Sequence, residues 1–212
     1  MTVMTTHSFK IHVEQETIAG FIINNNNSYL ADFVYLHGGG DSSYKERVYD
    51  IADPIIKNDN SILSIDFSGH GESSGELKKG SLKKRVTEAQ AAIQTFTTAA
   101  PLTICGASMG GYIAIKMLKL FHVNTLILMC PALYNGAAYD VPFDQEFTEI
   151  LRMPESWRQT DALEIIKNFT GKLLIIIGDK LSISFDNVLL KYLSYLYPVI
   201  YYPLFFQFSF HS

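Results

Sequence analysis

The sequence predicts an α/β fold with a mostly parallel, doubly wound sheet. Two observations support this prediction. Strand-like segments alternate with helix-like segments through the middle of the chain. The strand-like segments are nearly continuous apolar runs, as expected when helices cover both faces of a parallel sheet. The chain has 212 residues, of which 48% are hydrophobic, so it suits a single domain, 1–212, with a substantial core.

The elements follow one another in a regular order. Phe9 to Val13 and Ile18 to Ile23 are predicted to form an antiparallel pair of strands. The later predicted strands cover Leu30 to Leu36, Ile62 to Asp66, Leu102 to Cys105, Thr125 to Met129, Leu173 to Ile177 and Pro198 to Tyr202. Apolar spacing and end signals predict helices over Lys45 to Lys57, Ser81 to Thr98 and Met109 to Phe121.

The motif Gly106-Ala107-Ser108-Met109-Gly110 places a serine between two glycines where a strand gives way to a helix. A strand that turns sharply into a helix crowds its backbone, so the flanking positions favour residues without a large Cβ group. The serine then adopts a strained conformation with its Oγ exposed. The alternative is an ordinary glycine-punctuated turn. The pattern favours a nucleophile elbow with Ser108 as the nucleophile.

A second glycine-rich motif, His37-Gly38-Gly39-Gly40, directly follows the apolar run Phe33 to Leu36. Glycines there leave backbone N–H groups free to point inward and stabilise a negatively charged oxygen. A flexible surface turn would have the same composition. The order of the motif relative to Ser108 favours an oxyanion loop.

A third motif, Asp66-Phe67-Ser68-Gly69-His70-Gly71-Glu72-Ser73, follows the strand Ile62 to Ile65. With all three motifs in this order, the chain resembles the α/β-hydrolase superfamily from about Val34 to Asp179. The resemblance implies an α/β-hydrolase fold and a catalytic triad in the chain order serine, acid, histidine. His70 precedes the serine, so it is assigned a structural role.

The resemblance also locates the oxyanion hole and a cap. Backbone N–H groups of Gly39, Gly40 and Met109 are the expected oxyanion donors. Residues 132–170 lie where the family carries a cap, and their length allows two or three short helices above a small pocket. Plain helix packing is the alternative for this segment.

The acid of the triad is uncertain in the sequence. The family position for it, three residues after Gly178, is occupied by Leu181, which cannot orient a histidine. Asp179 is the nearest substitute, because residues two apart in an extended chain point to the same side. Asp186 is the second candidate, and the lack of any acid is the third possibility.

The expected base is His211, the last histidine in the chain. It follows the predicted strand Pro198 to Tyr202, but the segment between them is aromatic and apolar and has no glycine-containing turn. A residue so near the terminus needs support to stay within hydrogen-bond reach of Ser108.

Residues 181–212 differ in composition from the rest of the chain, with only Asp186 and Lys191 as certain charges. The segment is interpreted as a divergent C-terminal segment: either a replaced C-terminus, for example through a frameshift, or a folded divergent last strand and helix. Pro198 and Pro203, with the tyrosines and serines, argue against a membrane-associated tail.

Composition excludes several other classes. The net charge of −4 and pI near 5.8 give no reason to expect nucleic acid as a partner. A basic cluster, 78–85, is interpreted as a solvated helix face.

No metal-ligand spacing and no nucleotide-binding loop occurs in the sequence, so neither a metal nor a cofactor is expected. The polar N-terminus predicts neither a signal peptide nor an anchor, hence a cytoplasmic protein, and the oligomeric state stays open.

Two function classes remain open. In the first, the protein is a serine hydrolase that cleaves an ester or related acyl bond of a small to medium substrate through an acyl-enzyme on Ser108, with His211 as base and Asp179 as acid. In the second, it is a catalytically impaired or truncated α/β-hydrolase-like protein without a complete triad. The three motifs favour the first class, and the divergent segment 181–212 favours the second.

Overall fold

The computed structural model describes residues 4–98 and 101–177 of the chain. Its strands are β1 (Thr5–Val13), β2 (Glu16–Asn24), β3 (Phe33–Leu36), β4 (Ile62–Ile65), β5 (Leu102–Ala107), β6 (Val123–Met129) and β7 (Lys172–Ile176). Its α-helices are α1 (Tyr49–Ile56), α2 (Leu82–Phe96), α3 (Met109–Met117), α4 (Gln145–Arg152) and α5 (Ala162–Lys167). Short 3₁₀ helices cover Lys45–Val48, Leu77–Lys79, Gly136–Ala138 and Ser156–Gln159.

The seven strands form one sheet in the order β1-β2-β4-β3-β5-β6-β7. The strands from β3 to β7 are parallel to one another, and β1 and β2 add to the β4 edge as an antiparallel hairpin. This confirms the predicted fold class, a mostly parallel sheet with helices on both faces. The predicted strand over Pro198 to Tyr202 lies outside the described residues.

The apolar runs of the central strands supply a separate core to each face of the sheet. On β3, Val34 and Leu36 pack into the larger core, and Phe33 and Tyr35 pack into the smaller one. Helices α2, α3 and α5 cover the larger core, whereas α1 covers the smaller core. Successive strand residues point to opposite faces, so a strand covered on both sides is apolar at nearly every position.

The structure shortens several predicted elements. The segment predicted as one helix over Lys45 to Lys57 is a 3₁₀ turn followed by α1, which contains Pro54. The third strand is predicted from Leu30, but it begins at Phe33. Tyr29 and Leu30 are exposed and lie outside the sheet. Helix α3 ends at Met117, where the hydrogen bonds change to the i to i+3 pattern of a tightened last turn.

The interpretation of the basic cluster as a solvated face is wrong for Arg85. Lys79 and Lys83 are exposed, but Arg85 is fully buried and pairs with Glu88 at 3.0 Å. Its position follows from the helical period, since Leu82, Arg85 and Ala89 lie on one face of α2. A buried guanidinium requires such a partner, because an unpaired charge in the core is very costly.

Within residues 4–98 and 101–177, no helix is both long and apolar enough to cross a membrane. The same part of the chain holds no group of three or more His, Cys, Asp or Glu side chains arranged to bind a metal ion.

Candidate active site

The three sequence motifs meet at the carboxyl ends of three neighbouring strands. β3 lies between β4 and β5, and all three strands are parallel, so the loops after them leave the sheet side by side. The crevice outside the carboxyl ends of such strands is where open α/β sheets bind ligands. The Gly38 to Gly40 loop therefore lies between the elbow and the loop that starts at Asp66.

The elbow has the geometry that its two glycines predict. A Cβ atom on Gly106 would lie 2.2 Å from the carbonyl oxygen of Gly110. A Cβ atom on Gly110 would lie 2.1 Å from the carbonyl oxygen of Leu36. Neither position has room for a side chain, so β5, α3 and the end of β3 can approach this closely only with glycine at both positions.

Ser108 lies at the sharpest point of this turn. Its φ is +50° and its ψ is −115°, a conformation that non-glycine residues rarely adopt, and its side chain is exposed. Hydrogen bonds on both sides hold the backbone: the Ser108 N–H donates to the carbonyl of Met129 at 2.9 Å, and its own carbonyl accepts from Gly111 and Ala132, each at 3.0 Å. The surrounding structure thus imposes the strain that projects the hydroxyl outward.

The glycine loop after β3 lies directly against the elbow. A Cβ atom on Gly38 would lie 3.5 Å from Cβ of Ser108, and one on Gly39 would lie 3.0 Å from Sδ of Met109. Met109 is buried and begins α3, so its backbone N–H is one of the unpaired donors of the helix N-terminus. The loop and the first residue of α3 therefore border the same space beside the Ser108 hydroxyl.

His37 fixes the start of this loop. The side chain is 1% exposed, and its Nε2 accepts a hydrogen bond from the Phe67 N–H at 3.1 Å. The proton of the neutral ring is therefore on Nδ1, which donates to the carbonyl of Gly38 at 2.6 Å. Both nitrogens are used, so His37 joins the glycine loop to the loop after β4 and is not free to act as a base.

Burial gives His37 a strong effect on stability against acid. Burial lowers the pKa of His37 to about 3, below its ordinary value of 6.5. Between these values the unfolded chain binds a proton that the native protein does not, so stability falls as the pH falls from about 6.5 towards 3. Between pH 6.5 and pH 5 we expect a loss of about 2 kcal/mol from this residue.

The variant His37→Asn tests this expectation, because asparagine can accept from Phe67 but does not titrate. Urea unfolding of both proteins at pH 7 and at pH 5 gives the two differences. The wild-type protein should lose about 2 kcal/mol more than the variant on acidification. An equal loss in both proteins would contradict the assignment of a neutral, buried His37.

A buried ion pair holds the next loop against the glycine loop. Lys45 Nζ donates to Asp66 Oδ2 at 2.7 Å and to Glu72 at 2.8 Å, and the Lys45 backbone N–H donates to Asp66 Oδ1 at 2.7 Å. Lys45 is 3% exposed and Asp66 is fully buried. Burial raises the pKa of Asp66, but the hydrogen bonds from Lys45 and from the Glu72 N–H outweigh burial and leave the pKa below its ordinary value. Sequence reasoning missed this pair, because Lys45 reads as an ordinary first residue of a helix.

His70 lies beneath the same loops, with its ring centroid 4.8 Å from that of His37. Burial and the charge of Arg85 lower its pKa, against smaller opposing effects of the Gly39 and Ser68 backbone groups. Neither ring nitrogen meets hydrogen-bond geometry with another described residue. A buried and neutral imidazole fits the structural role that the sequence predicts for His70.

The segment between β6 and β7 packs onto the helix that begins at the elbow. The Tyr112 hydroxyl donates to Asp161 Oδ1 at 3.1 Å, and the Lys116 ammonium pairs with the same carboxylate. Lys116 also lies over the ring of Tyr139, 4.5 Å from its centroid. Tyr112 and Lys116 are both on α3, so these contacts join the 132–170 segment to the helix that carries Ser108 at its start.

A cavity of about 450 Å³ lies at the other end of the sheet. It is lined by the turn that follows α3, including Leu118 and Phe121, by the first residue of β6, Val123, and by α5, including Ile165. These residues are at the amino end of β6, whereas the motif loops are at the carboxyl ends of the strands. The cavity is therefore separate from the site around Ser108.

The predicted acid and base cannot be placed beside Ser108. Asp179, the alternative Asp186 and His211 all lie outside the described residues. The structure brings together Ser108, Met109, Gly38 and Gly39, and Gly40 continues the same loop.

The sequence also matches the model of a known family over residues 29–170, more than half of the chain. That family is described as serine aminopeptidase, S33. The chain belongs to this S33 family of α/β-hydrolases. A search of curated protein sequences returned no match.

Solved structures similar to this S33 hydrolase have the same fold. Est1E from Butyrivibrio proteoclasticus, with ferulic acid bound, has a TM-score of 0.69 and 16% identity, covering 92% of this chain and 89% of that chain. The thioesterase domain from the curacin biosynthetic pathway has a TM-score of 0.69 and 15% identity, covering 94% and 92%. A predicted CIB-like hydrolase from Thermoplasma acidophilum has a TM-score of 0.64 and 19% identity, covering 95% and 87%.

Proposed function

We propose that this S33 hydrolase cleaves an ester or related acyl bond of a small to medium substrate through an acyl-enzyme on Ser108. The observation that carries the proposal is the exposed Ser108 hydroxyl on a strained elbow, with the Gly38 to Gly40 loop packed against it. This arrangement supports the proposal, because acyl transfer requires a nucleophile with backbone N–H donors beside it.

In the first step, Ser108 Oγ forms a bond to the carbonyl carbon of the substrate. The Oγ–H proton passes to the base, for which His211 is the candidate, and the π electron pair of the carbonyl moves to its oxygen. The resulting oxyanion accepts hydrogen bonds from the N–H of Met109 and from the N–H groups of Gly39 and Gly40. The tetrahedral intermediate then collapses, the leaving group takes the proton from the base, and the acyl group stays on Ser108.

In the second step, water attacks the acyl-enzyme. The base removes a proton from the water, a second oxyanion forms in the same hole, and Ser108 leaves with the proton returned by the base. Asp179 is the proposed acid that orients the base. The short helices of the 132–170 segment, joined to α3 through Asp161, are proposed as a small cap that limits the size of the substrate.

Comparison with other hydrolases supports an acyl bond as the target without naming one. The family description includes the word aminopeptidase, and two of the similar structures are Est1E with ferulic acid and a thioesterase domain. Esters, thioesters and amides all pass through a tetrahedral oxyanion of the same kind. An ester is the favoured substrate class in this proposal. Its alkoxide leaving group depends less than an amine on a proton from the base.

A second candidate function is supported by one observation in the sequence. Leu181 stands where the family carries its acid, and this favours a binding module that keeps the pocket without a working triad. The two candidates differ in whether Ser108 is nucleophilic, which a covalent probe measures directly.

The test is labelling of the purified protein with a fluorophosphonate, followed by intact mass measurement and peptide mapping. We expect one label per molecule, on the peptide that contains Ser108. Unlabelled protein that still unfolds cooperatively on heating would exclude the hydrolase and favour the binding module. Hydrolysis of matched acetyl and butyryl esters, thioesters and anilides then ranks the three bond classes.

A further inference from the structure

Ser43 lies at the end of the glycine loop and folds back over it. Its backbone N–H donates to the carbonyl of Gly40 at 2.8 Å, which closes a turn over residues 40–43. The turn brings the side chain of Ser43 back beside Gly38 and Gly40. The residue is partly buried, whereas its neighbours Asp41, Ser42 and Tyr44 are exposed.

The Ser43 hydroxyl and Ser108 both lie beside Gly38. Its Oγ is 3.3 Å from the point where a Cβ atom of Gly38 would be, and 3.7 Å from the corresponding point of Gly40. The point at Gly38 is in turn 3.5 Å from Cβ of Ser108. Two sides of one triangle, 3.3 Å and 3.5 Å, place Ser43 Oγ at most about 7 Å from Ser108 Cβ.

This separation suits a hydrogen bond to the reacting oxygen. An oxyanion on a carbon bonded to Ser108 Oγ would lie about 3 Å from Ser108 Cβ, and an O–H donor lies about 2.8 Å from its acceptor. These two lengths add up to about 5.8 Å. The loop geometry allows Ser43 Oγ to lie at that distance from Ser108 Cβ, since about 7 Å is the upper limit of their separation. The empty side of Gly38, which faces both serines, is the space that the oxygen would occupy.

The Ser43 hydroxyl is available for such a bond. The hydrogen bonds within the described residues use the backbone N–H of Ser43 but not its hydroxyl. Other serines near the site are engaged: the hydroxyls of Ser64, Ser68 and Ser73 all take part in hydrogen bonds with neighbouring groups. A hydroxyl group without an internal partner at the edge of a reacting space can turn its hydrogen towards a bound oxygen.

We propose that Ser43 is a further catalytic residue, whose hydroxyl donates a hydrogen bond to the oxyanion formed on the substrate of Ser108. The inference rests on the proposed hydrolase function and extends its oxyanion hole from backbone donors to a side-chain donor. The bond strengthens as charge develops on the oxygen, so it acts in the transition state and not in substrate binding.

The variant Ser43→Ala tests the proposal with an activated short-chain ester. We expect kcat to fall by about 100-fold with KM within about twofold of the wild-type value, since loss of one oxyanion donor acts on the transition state. Ser43→Thr keeps a hydroxyl and should recover most of the activity. Ser42→Ala, which removes the hydroxyl from the exposed neighbour, is the matched control and should behave like the wild-type protein.

A second measurement distinguishes this role from a structural one. A boronic acid mimics the tetrahedral oxyanion adduct on Ser108, so its inhibition constant should rise in Ser43→Ala in proportion to the loss of kcat. The thermal midpoint should change little, because the hydroxyl of Ser43 makes no hydrogen bond with any residue that the structure describes. A fall in kcat without weaker boronate inhibition would overturn the role of Ser43 as an oxyanion donor.

The outcomes also separate this inference from the function on which it rests. Wild-type activity with unchanged kcat in Ser43→Ala would overturn the side-chain donor and leave the hydrolase intact. Absence of both turnover and phosphonate labelling in the folded wild-type protein would overturn both proposals together.

Discussion

Replacing Ser108 with alanine is expected to lower turnover of an activated ester by about 10³-fold or more and to abolish phosphonate labelling. Only the hydroxyl group is removed, so the backbone N–H donors and the pocket around residue 108 remain. Alanine keeps the Cβ atom, so the strained φ of +50° is unchanged and the elbow should be preserved. Steady-state kinetics over a wide range of enzyme concentration measure the residual rate.

The control for this variant is Ser42→Ala, which removes an exposed hydroxyl just after the glycine loop. It should retain full activity. Equal thermal midpoints for Ser108→Ala and the wild-type protein would show that the loss is chemical and not due to unfolding. An active Ser108→Ala protein would mean that hydrolysis takes place elsewhere on the molecule.

The variant Lys45→Met is expected to be destabilised by about 3–5 kcal/mol, because it leaves the carboxylate of Asp66 buried without its cation. Methionine is close to lysine in length and apolar, so little packing is lost. Glu72 also loses its partner, but it is exposed and water can replace the bond. Urea unfolding at neutral pH measures the change in the free energy of unfolding.

A second lysine–aspartate pair in the same chain supplies the matched control. Lys57 pairs with Asp53 on the surface of α1, and both side chains are 61% exposed. Lys57→Met should therefore cost less than about 1 kcal/mol. If both variants lost the same stability, burial would not be the reason for the strength of the Lys45 pair. The double variant Lys45→Met, Asp66→Leu should recover much of the loss, since it removes the buried charge as well.

The sequence predicts the features of this fold that depend on local pattern. The glycines at 106 and 110 indicate a crowded turn because no other residue fits there, and the structure shows backbone oxygens within 2.2 Å of their missing Cβ atoms. The apolar runs of β3 and β4 indicate strands buried on both faces for the same kind of reason. In these cases the residue type follows directly from the local space or burial, so the sequence alone predicts the structure.

The features that the sequence does not predict depend on partners far along the chain. Lys45 and Arg85 read as surface charges, and each is buried only because Asp66 or Glu88 is in place to neutralise it. His37 reads as part of the catalytic loop, and its structural role depends on the N–H of Phe67. The acid and base predicted at Asp179 and His211 remain predictions, because they lie outside the described residues.

The position of β3 in the sheet has a consequence for how the protein folds. β3 precedes β4 and β5 in the chain but lies between them, so Tyr35 pairs with Ser64 on one side and Cys105 on the other. Pairing between segments so far apart in the chain is slow to form. The elbow depends on this pairing, because Gly110 packs against the end of β3. Under the proposed function, the onset of phosphonate labelling during refolding is therefore expected to report the insertion of the central strand.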